Sequence, residues 1–232
     1  MSTKKDLRTG AIFEVKLDDN LGFGYVKLII SHDIDSDDTF NLFIVKPYNY
    51  YSRSSIKKSF DPQIFETDDI ICFPQNMYFR PKLRGTDAWN YIGMSKLTEE
   101  DLILPDYFIL PNGYFWYEGL KKAIHDKAEI WIRDSLKKTV SRKVKSHLNI
   151  DHLGIWPHTG SQCINRFLSM YWMKDKGRNH LDFYQKYKSG ESYYEREPYD
   201  YIGGGLLIMN RENHAFQQMN KVERLKYREQ TL

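Results

Sequence analysis

Residues 10–26 constrain the fold of this chain more than any other stretch. Gly10-Ala-Ile12-Phe13-Glu14-Val15-Lys16-Leu17 leads into Asp18-Asp19-Asn20, and Leu21-Gly22-Phe23-Gly24-Tyr25-Val26 leads out. Phe13, Val15 and Leu17 alternate with Glu14 and Lys16, the period of a strand with one buried face. The Asp-Asp-Asn cluster tolerates turn conformations. Gly22 and Gly24 flank Phe23, which predicts a bulge or sharp bend in the returning strand. The stretch therefore reads as strand, polar turn and strand, and the rest of the first half reads as strands that extend and close its sheet.

The second strand continues through Leu28, Ile29 and Ile30. Residues 39–45 give a third strand, ended by Lys46-Pro47, and Tyr48, Tyr50 and Tyr51 give it a tyrosine-rich edge. Residues 69–73 are apolar around Cys72, and residues 89–93 form a further strand. Thr98, with Asp101 three positions on, has the spacing of a helix cap. Short strands separated by turns predict a curled antiparallel sheet or small barrel over residues 1–110. Its expected core is Ile12, Phe13, Val15, Phe23, Val26, Leu28, Phe43, Val45, Ile71 and Trp89.

Beyond residue 110 the character changes. Residues 1–110 carry 13 basic against 17 acidic side chains, net −4, and residues 111–232 carry 21 against 14, net +7. Leu120, Ile124, Ala128, Trp131, Leu136, Val140, Val144 and Leu148 recur at steps of three to five, which predicts a long amphipathic helix. Its other face is basic, with nine Lys or Arg and three Asp or Glu over 121–145. A second helix is predicted from Thr159 or Ser161 to Gly177, and a polar helix near 215–229. The expected class is α+β, with a β-rich domain at 1–110 and a helix-rich domain at 111–232.

Two cysteines in 232 residues give no disulfide framework. No apolar run reaches the roughly 18 residues of a membrane span. The N-terminus has no apolar signal region. A soluble cytoplasmic protein without a membrane partner is the expectation.

Chemistry-bearing motifs are sparse. Asp33, Asp35, Asp37 and Asp38 place four carboxylates within six residues. They fail as a calcium loop, because Asp38 replaces the sixth-position glycine and Ile44 the twelfth-position glutamate. Such a run is either a solvated loop or a surface facing a cationic partner. Cys163 falls in the first turn of a predicted helix, where the dipole lowers a thiol pKa, and His158, His180 or His214 could act as its base. A small buried cysteine is the other reading. His147, His152 and His158 have no zinc-ligand spacing. Gly203-Gly204-Gly205 lacks the Gly-Lys-Ser/Thr ending of a phosphate loop. No metal and no cofactor are expected.

Three short motifs resemble the immunity protein 26 family of bacterial polymorphic toxin systems. They are Gly10-x-Ile12-Phe13-x-Val15-x-Leu17, Gly22-Phe23-Gly24-x-Val26 and Trp89-x-x-Ile92-Gly93. The resemblance covers about residues 8–104. It implies a mainly β, non-catalytic domain that binds and neutralises a cognate protein toxin, with the acidic loop Asp33–Asp38 as the candidate partner-binding surface. It does not set the oligomeric state. Two alternatives come from the residues themselves: a nucleic-acid-binding protein using the basic helix 121–145, and a Cys163-dependent hydrolase.

Overall fold

The computed structural model describes residues 3–36, 42–71, 74–77, 79–102, 107–109, 129–134, 139–145, 154–156 and 160–178. The protein is α+β. Its main sheet has five antiparallel strands: β1 (Ala11–Lys16), β2 (Phe23–Ile30), β3 (Phe43–Ser52), β4 (Gln75–Met77) and β5 (Trp89–Met94), in the order β4-β3-β2-β1-β5. β4 and β5 are its two ends, so among the described residues hydrogen bonding does not close it into the expected barrel.

The β1–β2 hairpin turns as its residue types dictate. Asp19 and Asn20 both adopt left-handed backbone angles (φ 55° and 53°), which short polar side chains tolerate. Leu17 N–H donates to the Gly22 carbonyl at 2.9 Å. Gly22 has φ +132°, and a Cβ there would run into the Ser52 carbonyl. The bend expected near Gly24 is a register shift between Gly24 and Val26 against β3.

β3 runs through Lys46-Pro47 to Ser52 rather than stopping there. Pro47 is tolerated because it pairs with Val26 at that irregularity, where a ladder donor can be spared. The tyrosine run is thus strand, with Tyr48 fully buried. Of the expected core, eight residues are buried, and Phe23 and Phe43 are half-buried. Cys72 lies outside the described residues.

Strand pleating divides the sheet into two faces. Ala11, Phe13, Val15, Val26, Leu28, Val45 and Trp89 share one apolar core with Ile164, Leu168, Met170, Trp172 and Met173. Those last residues belong to the helix α2 (Ser161–Asp175), which follows the single turn α1 (Ser31–Ile34). Trp89 Nε1 donates to Asn165 Oδ1 at 2.5 Å, and Ser169 Oγ accepts from Asp18 N–H at 2.8 Å. α2 starts as expected and ends at Asp175, two residues before Gly177, whose φ of +67° suits a helix stop. It lies past the boundary expected near residue 110, and its apolar face completes the core of the first sheet.

A second sheet has the order β8-β7-β6-β9, formed by β6 (Tyr107–Ile109), β7 (Glu129–Asp134), β8 (Thr139–Lys145) and β9 (Gly154–Trp156). It corrects the long helix expected over 120–148. β7 and β8 pair antiparallel, with Ile130 opposite Val144 and Ile132 opposite Arg142. The helix-rich character expected of 111–232 is carried by α2 alone among the described residues. The helix expected near 215–229 lies outside them.

Candidate functional site

The second face of the main sheet is built from different residue types. Ile12, Tyr25, Tyr48, Phe65 and Ile92 form its apolar part, with Tyr50, Phe60 and Ile64 packed against them. Gly93 is needed there, since a Cβ would overlap the Phe60 ring. Glu14 is buried among them; its carboxylate accepts from Ile56 N–H at 3.1 Å and from Asn90 Nδ2 at 3.3 Å. Burial pushes the Tyr25 and Tyr48 hydroxyls above their usual pKa.

Further along this face, strand register sets two like charges side by side. Lys27 of β2 is directly opposite Lys46 of β3, and both are buried. Directly opposed like charges destabilise a sheet, and burial without a counter-ion adds to the cost. Asp101 resolves both problems. Its Oδ2 lies 2.7 Å from Lys27 Nζ and its Oδ1 2.8 Å from Lys46 Nζ. Lys46 also meets Asp68 Oδ1 at 2.5 Å, and Lys27 donates to the Lys96 carbonyl at 2.9 Å. Both ammonium groups lie 5.6–5.8 Å from the centre of the Tyr48 ring.

The two sides of this cluster titrate differently. Burial alone would raise the Asp101 pKa, but the ammonium groups of Lys46 and Lys27 outweigh it and hold the carboxyl below its usual range. Burial pushes Lys27 below the ordinary lysine range, and its attraction to Asp101 only partly offsets this. Asp101 has two cations, whereas Lys27 shares one anion with Lys46 and is repelled by it. The geometry thus favours a fixed carboxylate.

What the cluster fixes is a surface turn. Asp101 accepts from Thr98 N–H at 2.9 Å, and Asp101 N–H donates to Thr98 Oγ1 at 3.3 Å. This is the reciprocal cap expected from the sequence, closing the 3-10 turn Glu100–Leu102. Leu97 and Leu102 flank it, 36% and 48% exposed.

The sequence-predicted sites are described in part. Asp33 is exposed and its carboxylate accepts from Thr9 Oγ1. Asp35 is only 4% exposed, so its carboxyl is withdrawn from the surface. Asp37 and Asp38 lie outside the described residues. Cys163 is the third residue of α2, in the expected first turn; His158, His180 and His214 lie outside the described residues. The basic helix 121–145 is corrected to the β7–β8 hairpin over its described part. Among the described residues no three His, Cys, Asp or Glu side chains group as metal ligands, and no helix is long and apolar enough to cross a membrane. Sequence reasoning missed Lys27, Lys46 and Asp68. The one available signal was a lysine inside each of two strongly apolar strands.

The fold defines an α+β protein whose antiparallel sheet is covered by a helix on one face and by turns on the other. No known protein family, curated protein or solved structure matches the chain.

Proposed function

We propose that this protein is a non-catalytic, cytoplasmic immunity protein that binds and neutralises a cognate bacterial toxin. The observation that supports the reading is the meeting of its three resemblance motifs in one unit of adjacent strands, β2-β1-β5. Phe13 pairs with Val26 on one side and Tyr91 on the other; Val15 pairs with Gly24 and Trp89; Ile12 pairs with Gly93. Motifs scattered over some 80 residues of sequence thus form one contiguous packing unit. On this reading the strands are the scaffold and the surface turns make the contact, as is usual for binding proteins. Residues 111–232 then supply α2 to the core of that domain, and the rest of them are a fused module or an extension towards one particular toxin.

The test is a protection assay. The toxic domain of a secreted protein encoded directly upstream is expressed in a bacterial host with and without this chain. Restored growth, together with a stoichiometric complex of the two purified proteins, is expected. Growth arrest that persists while this protein is folded and abundant would overturn the reading.

A further inference from the structure

Two of the large apolar side chains exposed among the described residues, Leu97 and Leu102, bracket a single turn. Isolated exposed leucines need no explanation; this pair differs in being held together on one rigid, charged turn. The rigidity comes from below: the turn's Asp101 is clamped by the ammonium groups of Lys27 and Lys46 on the sheet. The neighbouring loop is drawn against it. Glu66 Oε1 accepts from Lys96 N–H at 3.5 Å, and Asp68 Oδ1 accepts from Thr98 Oγ1 at 2.9 Å.

The rim is acidic. Glu66, Asp68 and Glu99 are exposed on or against the turn, and Lys96 is the exposed cation on the same turn. Apolar residues inside a mainly acidic rim fit the anatomy of a protein contact, in which the centre supplies affinity and the rim steers encounter. The ion cluster adds pre-organisation, which lowers the ordering cost of binding.

We infer that the Leu97–Leu102 turn with its acidic rim is the docking surface for a basic protein partner. That partner's contact face has an apolar hollow ringed by Lys and Arg. The inference rests on the toxin-neutralising reading and names the surface that does the neutralising.

The experiment uses the full chain and the purified toxin domain encoded directly upstream, with association and dissociation rates measured at low and high salt. Leu97→Ala with Leu102→Ala should weaken binding by ~10-fold or more, through faster dissociation. Glu66→Gln with Glu99→Gln should slow association by roughly 5-fold at low salt, a difference that shrinks at high salt. Asp33→Asn should change neither rate. Unchanged melting temperatures exclude misfolding as the cause, and the conservative glutamine double variant keeps the test valid if the alanine pair unfolds. If the wild-type protein binds and both patch variants bind within about twofold of it, less than any hot spot would lose, the docking surface is wrong and the toxin reading stands. If the wild-type protein does not bind the toxic domain at all, both are overturned.

Discussion

The two faces of the main sheet solve the same burial problem with opposite chemistry. The face under α2 is sealed by Phe13, Val15, Val26, Val45 and Trp89 against Leu168 and Trp172. The other face holds Glu14, Lys27 and Lys46 fully out of water and is covered by turns, with Asp101 reaching in from one of them. An apolar face gains from burial whatever its exact partners. A charged face tolerates burial only when each group finds a specific partner. The first face therefore fixes stability, and the second fixes the position of its covering turn.

Truncation of the apolar face should have the largest effect. Trp89→Ala should cost ~3–5 kcal/mol and Leu168→Ala ~2–5 kcal/mol, measured by urea unfolding. Comparable losses from the two would confirm that α2 and the sheet share one core. A neutral Leu168→Ala would break the comparison at its first face.

The ionic face should respond to how it is changed. Asp101→Asn leaves Lys27 without a carboxylate partner and should cost about 3–5 kcal/mol, the usual loss on breaking a buried pair. Replacing the trio together, by Lys27→Met, Lys46→Met and Asp101→Leu, should be neutral or stabilising by up to ~4 kcal/mol. If the triple replacement is as damaging as Asp101→Asn, the cluster contributes net stability and the contrast between the faces fails.

A smaller effect is expected from pH. The folded pKa of Asp101 lies below its unfolded value. Its contribution is present above the unfolded carboxylate range and is lost as pH falls through the folded value. Lys27 has the opposite consequence. Its folded pKa is below the usual 10.5, so in alkaline solution the unfolded chain binds more protons, and stability rises with pH between the folded and unfolded values. Denaturation midpoints across pH should show this alkaline rise in the wild-type protein and lose it in Lys27→Met. A wild-type midpoint flat across that range would show that Lys27 is not depressed.

Much of the apolar face is legible in the sequence, because alternation and turn chemistry are local signals. Phe13, Val15, the Asp19-Asn20 turn and the boundaries of α2 all follow from neighbouring residues. That α2 belongs to the first sheet does not, since Asn165 meets Trp89 across 76 residues and no local pattern encodes the meeting. On the ionic face the cap at Thr98 and Asp101 is legible, but its carboxylate's second role is not. A lysine inside a strand reads as the solvent side, and only the fold reveals that turns cover it. The β7–β8 hairpin was hidden differently: Val140 and Val144 share one face of a strand, yet with Trp131 and Leu136 they also fit steps of three to five.

Buried charge should hold the Leu97–Leu102 turn as firmly as the sheet beneath it. Native-state hydrogen exchange tests it most directly, comparing the Thr98 and Asp101 amides with those of β1. Protection within roughly tenfold of the β1 amides is expected, as for parts of one cooperative unit. Exchange of the Thr98 and Asp101 amides near the unprotected rate, with β1 still protected, would contradict it.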